Sequence, residues 1–318
     1  MSNKDDIELS FLTWNIYFGF DPTPLAGGFN PVAVTQVFRQ FLATNFPVRA
    51  KALARAIASK KPAFIGLQEV ELITLTIPTF GTVTYDFIEI LLEELENRGL
   101  HYKVAAKNKN RDLQGIPDSN GNTIGIIDFD VILIQKDHDF RIINKQEENF
   151  TATFMGIPRG WSAIDVKLDG QVFRMINTHL EPLNQGVREA QALELINGPA
   201  NTNLPVIITG DLNSTPNSDV IQFFIMAGFH DAWSEVGEGN GFTCCQGADL
   251  LNAVSTLNFR IDYILFKNGW DPIKAELVGE SQNDRTNTGL WPSDHAGVWA
   301  KLELDDHHHH HHHEESCD

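Results

Sequence analysis

VIITGDLNSTP, residues 206–216, is an apolar strand that ends abruptly in an acid and an amide. Asp211 and Asn213 stand where the apolar run of 205–209 gives way to turn-forming residues. The same pattern recurs along the chain. FLTWN at 11–15 ends in Asn15, FIGLQE at 64–69 in Glu69, and MINTH at 175–179 in His179. RIDYI at 260–264 sets Asp262 among Ile, Tyr and Ile, and SDH at 293–295 places Asp294 and His295 before the last apolar strand. Taken singly, a strand-end Asn is a turn former and Gly-Asp-x-Asn a helix cap. Asp262 is different, because a carboxylate inside an apolar strand is costly unless paired. Carboxylates and amides converging on one sheet edge suit a hard cation such as Mg²⁺. Two histidines and further carboxylates beside it suit proton transfer and stabilisation of a pentacovalent phosphoryl group.

Around these segments, short apolar runs alternate with helical patterns. Strands are expected at 10–16, 63–70, 130–135, 162–168, 172–177, 205–209, 261–266 and 298–304, with Asp169-Gly170 as a hairpin turn. Asn30-Pro31 caps a helix whose Val34, Val37, Phe38, Phe41 and Leu42 share one face. Further helices are expected at 48–60, from the Asp86/Glu89 capping box to Gly99, at 187–196 and at 218–227. The segment 107–125, rich in Asn, Asp and Gly, reads as an exposed loop, and loops at 18–31 and 71–85 are expected beside it. No Gly/Ser/Pro linker divides the chain, so 1–304 reads as one domain of mixed α and β, with 305–318 a tail. His307 to His313 in that tail reads as an appended tag.

The 318 residues carry 24 Lys plus Arg against 42 acids, a formal charge of −18. Such a body disfavours long-range attraction to nucleic acid or anionic membrane, although bound cations invert a local field. No apolar run reaches the roughly 18 residues that span a bilayer. The charged N-terminus lacks a signal-like h-region, so a cytoplasmic protein is expected, or a secreted one with its leader removed. Of three cysteines, Cys244 and Cys245 are adjacent and fit ordinary disulfide geometry poorly. They are expected to pack a loop rather than form a metal or redox pair.

Taken together, TWN at 13–15, LQEVE at 67–71, NTHLEP at 177–182, GDLNSTP at 210–216, RIDYIL at 260–265 and SDH at 293–295 resemble the endonuclease/exonuclease/phosphatase superfamily, the metal-dependent phosphoesterases related to DNase I. The resemblance spans nearly the whole body. It implies a four-layer α/β sandwich, two mixed sheets face to face with helices on both outer faces, and a site at one edge. It implies that Asn15, Glu69 and Asp294 bind Mg²⁺ or Mn²⁺, one ion or two. By the same resemblance Asp211 activates or orients water and Asn213 fixes it. His179 would donate to the scissile phosphate or protonate the leaving group, and Asp262 would orient His295 as the acid of a triad does.

Two departures stand out. Tyr17 occupies a position where many members carry Asp. Asp130 replaces an amide that faces the phosphate, which makes it, with Arg159, a candidate substrate contact. The resulting expectation is a monomeric hydrolase of a phosphodiester or phosphomonoester. The alternatives are a DNA or RNA nuclease and a catalytically silent binding module of the same fold. The acidic composition leans towards a small phosphoester.

Overall fold

The computed structural model describes residues 6–305, so Cys317 and the histidine run lie outside the described residues. The chain opens with β1 (Ile7–Asn15), α1 (Pro31–Ala43), α2 (Phe46–Lys60), β2 (Phe64–Ile77), β3 (Gly81–Asp86), α3 (Phe87–Glu96), β4 (Tyr102–Pro117) and β5 (Thr123–Gln135). It continues through β6 (Arg141–Asn149), β7 (Gly160–Leu168), β8 (Gln171–His179), α4 (Gln185–Asn197), β9 (Val206–Asp211) and α5 (Asp219–Met226). It closes with β10 (His230–Asp231), α6 (Ala232–Val236), β11 (Asp262–Lys267), β12 (Trp270–Val278) and β13 (Gly297–Leu304). The local signals act as expected. Asn30 accepts from the Val32 N–H and Asp86 from the Glu89 N–H, which satisfies helix-end donors. Asp169 and Gly170 both take positive φ, at 50° and 79°, in the tight turn between β7 and β8.

Two mixed sheets form. One runs β12-β13-β1-β2-β5-β4, with β3 paired to β2; the other runs β10-β11-β9-β8-β7-β6. Alternation along the central strands builds the layers. Phe11, Phe64, Met175, Ile207 and Ile264 point into one core shared by both sheets. Their neighbours Leu12 and Ile65 face outward against Phe41, Leu53 and Leu91 of α1, α2 and α3. Ile176 and Ile208 face outward against Leu195 of α4 and Phe224 of α5. The result is the expected four-layer sandwich. In each sheet a single pair is parallel, β1 with β2 and β8 with β9. The parallel pairing ends at Asn15 with Gln68 and at His179 with Asp211, and Glu69 follows Gln68 within β2.

Beneath that edge the intersheet core turns polar. Gln68 Nε2 donates to Asn177 Oδ1 at 2.9 Å, Thr209 Oγ1 donates to the same oxygen at 3.0 Å, and Asn177 Nδ2 donates to the Leu67 carbonyl at 3.0 Å. Gly66 leaves the space for this band, because a Cβ there would collide with Thr209 Oγ1 and Asn177 Oδ1. Gly66→Ala is therefore expected to destabilise the fold by about 1–3 kcal/mol, read from the midpoint of urea unfolding; an unchanged midpoint would contradict this packing.

Two expectations need correction. Residues 107–125 are mostly the β4–β5 hairpin and 71–85 mostly the β2–β3 hairpin, not loops. On β4, Asn108 and Asn110 are buried while Lys107 and Lys109 are exposed, so the strand alternates with amides on its inner face. Hydrophobic periodicity cannot register such a strand. Cys244 and Cys245, joined by a cis peptide bond, stand sulfur against sulfur. No helix among the described residues is long and apolar enough to cross a membrane.

Candidate active site

Glu69 is aimed by its backbone. The β2–β5 register shifts between Leu67 and Val70, a bulge, and Glu69 within it takes φ 55°. A bulge re-aims a side chain, and a left-handed non-glycine residue persists only where its surroundings hold it. The Glu69 carboxylate accepts from Asn15 Nδ2 at 2.6 Å and from the Phe18 N–H at 3.0 Å. Asn15 also donates to Asp211 Oδ2 at 3.0 Å, while its own Oδ1 accepts from the Tyr17 N–H at 3.0 Å. The amide thus spaces two carboxylates, and its oxygen, the atom that would ligate a cation, is oriented by the backbone and keeps a second lone pair.

Asp211, at the end of β9, lies in register with His179 on β8 and with Asp262 on β11. His179 Nε2 stands 3.2 Å and His295 Nε2 3.8 Å from Asp211 Oδ2. The Asn213 N–H donates to Asp211 Oδ1 at 3.1 Å, and Asn213 Nδ2 donates to the Leu180 carbonyl at 2.8 Å. Burial alone would raise the Asp211 pKa, but the two imidazoles hold it well below the usual carboxylate range. Burial opposes protonation of His179, and Asp211 outweighs it, leaving the imidazole more basic than usual.

His295 Nδ1 and Asp262 Oδ2 are 2.8 Å apart in a buried pair. Burial works against the imidazolium, yet Asp262, Asp294 and Asp211 keep it charged well above the ordinary range. Asp262→Asn removes the nearest of these charges. Turnover is expected to fall by roughly 10²-fold or more, and the alkaline limb of the rate profile to move to lower pH. An alkaline limb that does not move would contradict this pairing.

The 293–295 segment is tied to β1: Ser293 Oγ donates to the Asn15 carbonyl at 2.6 Å, and Trp14 Nε1 to the His295 carbonyl at 2.9 Å. Asp294 is thereby brought beside His295, and its Oδ1 is buried without a hydrogen-bond donor. Burial raises its pKa against the pull of His295, and Glu69 raises it further. Glu69, His179 and Asp211 offer ligand atoms that all lie within 4.8 Å of one another. An orphaned carboxylate oxygen beside such a set fits an oxygen-seeking divalent cation.

The two candidate substrate contacts fare differently. Arg159, its side chain 18% exposed, stands with Nε 3.5 Å from Glu181 Oε2, and its charge acts on His179. Asp130 is wholly enclosed. Its register partner Asn108 and nearby Asn110, both on β4, donate to its Oδ2 at 2.8 and 2.9 Å. As a proposed substrate contact it offers Oδ1, which is buried with no hydrogen-bond donor among the described residues. Sequence reasoning missed Arg49, whose guanidinium lies behind the site. The available signal was its place in the apolar stripe of Phe46, Ala50, Leu53 and Ile57.

A profile of the Endonuclease/Exonuclease/phosphatase family matches residues 12–295. Among solved structures, an endonuclease/exonuclease/phosphatase from Bacteroides vulgatus is 17% identical, with a TM-score of 0.61 over 94% of this chain and 100% of that one. TDP2 of D. rerio, complexed with a single-strand DNA product, is 19% identical, with a TM-score of 0.57 over 93% and 98%. A mannosyl-6-phosphatase from Bacteroides thetaiotaomicron is 16% identical, with a TM-score of 0.58 over 92% and 99%. At these identities the likenesses show a shared fold. No curated protein matches the chain in sequence.

Proposed function

Because the chain belongs to the endonuclease/exonuclease/phosphatase family, we propose that it hydrolyses a phosphoester by in-line attack of water, with Mg²⁺ or Mn²⁺ as cofactor. The observation that carries this reading is Asp211 Oδ2, held 3.0 Å from Asn15 Nδ2 and 3.2 Å from His179 Nε2 at the edge where both parallel strand pairs end. Glu69 and Asp294 would hold the cation, whose charge offsets that of the pentacovalent phosphoryl group. Asn15 keeps the Glu69 and Asp211 carboxylates apart and in place.

Asp211, ionised at neutral pH, orients the attacking water and takes its proton, while Asn213 fixes the Asp211 carboxylate through its N–H. His179 donates to a phosphoryl oxygen or to the departing oxygen as the P–O bond breaks. His295, kept protonated by Asp262, offers a second positive donor. Arg159 adds charge on the His179 side. All eight of Asn15, Glu69, His179, Asp211, Asn213, Asp262, Asp294 and His295 are present, which argues against a silent binding module.

The body charge, −13 over residues 1–304 once the five acids of the tail are set aside from −18, favours a small or isolated phosphoester over a long polyanion. The nuclease reading is kept alive by the fold shared with TDP2. A parallel assay with Mg²⁺ and Mn²⁺ on bis(p-nitrophenyl) phosphate, sugar and inositol phosphates, sphingomyelin, single-stranded RNA and plasmid DNA separates them. Turnover confined to small esters is expected. Rapid plasmid nicking with negligible turnover of small esters would make the protein a nuclease, and inactivity on the whole panel would refute hydrolysis.

A further inference from the structure

Arg49 is a buried cation with no carboxylate in ion-pair contact among the described residues. It lies on α2 and is completely inaccessible, and its guanidinium spends its donors on backbone carbonyls. Nη1 donates to Ile16 and Pro292, both at 2.7 Å, Nη2 to Tyr17 at 2.8 Å, and Nε to Thr44 at 3.0 Å. Its Cζ lies 5.1 Å from the centroid of the Phe46 ring and 5.6 Å from that of Tyr17. Burial lowers its pKa to about 10, against the pull of Tyr17, Asp294 and Glu69, so it stays charged at neutral pH. Burying a guanidinium is costly, and an apolar side chain of similar length would fill the same stripe of α2 without that cost. What an apolar side chain cannot do is hold four carbonyls from three segments in one plane.

One of those segments carries Asp294, and another holds Glu69 through the Phe18 N–H. Ile16 and Tyr17 follow Asn15 directly. Tyr17 sits at φ 65°, a strained conformation for a non-glycine residue, and the turn it makes presents the Tyr17 N–H to Asn15 Oδ1 and the Phe18 N–H to Glu69 Oε1. Pro292 leads into Ser293 and Asp294, and Ser293 Oγ returns to the Asn15 carbonyl. One guanidinium therefore bridges the turn that orients Glu69 and the segment that carries Asp294.

We infer that Arg49 is the positioning residue that sets the span between Glu69 and Asp294, so that divalent-cation affinity depends on it although it touches neither carboxylate. The inference rests on the proposed assignment of those carboxylates to the cation. Its consequence is a split between binding and rate. Loss of the clasp weakens cation affinity, while Asp211, His179 and the His295–Asp262 pair keep their own contacts.

The test is calorimetric titration of Mg²⁺, with Mn²⁺ paramagnetic resonance as a second probe, on wild type, Arg49→Met and Arg49→Lys, each checked by circular dichroism. Arg49→Met is expected to bind about 10–100-fold more weakly, with kcat at saturating Mg²⁺ within a few-fold of wild type. Arg49→Lys, which keeps the charge but not the planar fork, is expected to lie between. Unchanged affinity in a folded Arg49→Met protein would overturn the inference. So would unfolding of both variants that Mg²⁺ fails to reverse, since Arg49 would then serve stability alone. Wild type that binds neither cation would instead overturn the assignment of Glu69 and Asp294, and this inference with it.

Discussion

Asp211→Asn is expected to lower kcat by about 10³-fold or more with the fold intact. The substitution is nearly isosteric, so the intersheet packing around β9 has no reason to change. Its chemistry is not conservative. An amide cannot accept a proton from water. One of its two polar ends becomes a donor, and every close neighbour of Asp211 is itself a donor: Asn15 Nδ2, His179 Nε2 and the Asn213 N–H. The variant therefore loses the base and sets a donor against the donors that hold it. An unfolding midpoint close to wild type, beside a collapsed kcat, is the signature to look for. A loss smaller than tenfold would remove Asp211 from the proton path.

His179→Asn is expected to cost about 10²–10³-fold in kcat. The imidazole is buried, pairs with Asp211 Oδ2 and is kept basic by it. Removing it takes away a donor to the phosphoryl group. It also takes away a charge that depresses Asp211, so Asp211 binds its proton at higher pH and the acid limb of the rate profile moves up. The two residues share one contact, so the double variant should fall well short of the product of the single losses. Full additivity would mean that they act independently.

The site was legible in the sequence because its residues interrupt apolar strands. An acid after VIITG, an amide after FLTW and an Asp inside RIDYIL violate the local pattern, and the fold gathers those violations at one edge. What stayed hidden obeys a different logic. β4 was unreadable because its buried face is Asn108 and Asn110, polar side chains that pair with Asp130 and Asp128 across the hairpin. Asp130 could be placed by the amide it replaces, but its pairing with Asn108 could not, for the same reason. Asn15 could be placed at the site, but the direction of its amide depends on the Tyr17 N–H. The edge strand β6 is almost wholly exposed, and the run RIINKQEEN gives no alternation to read.

The proposed hydrolysis needs both a divalent cation and the Asp211 carboxylate. The direct measurement is turnover of the best phosphoester from the panel by protein stripped with EDTA, then resupplied with Mg²⁺ or Mn²⁺, for wild type and Asp211→Asn side by side. A dependence on both predicts no turnover by stripped wild type, recovery on adding either cation, and no recovery in the variant. Turnover that survives stripping, or an Asp211→Asn protein that recovers as wild type does, would contradict it.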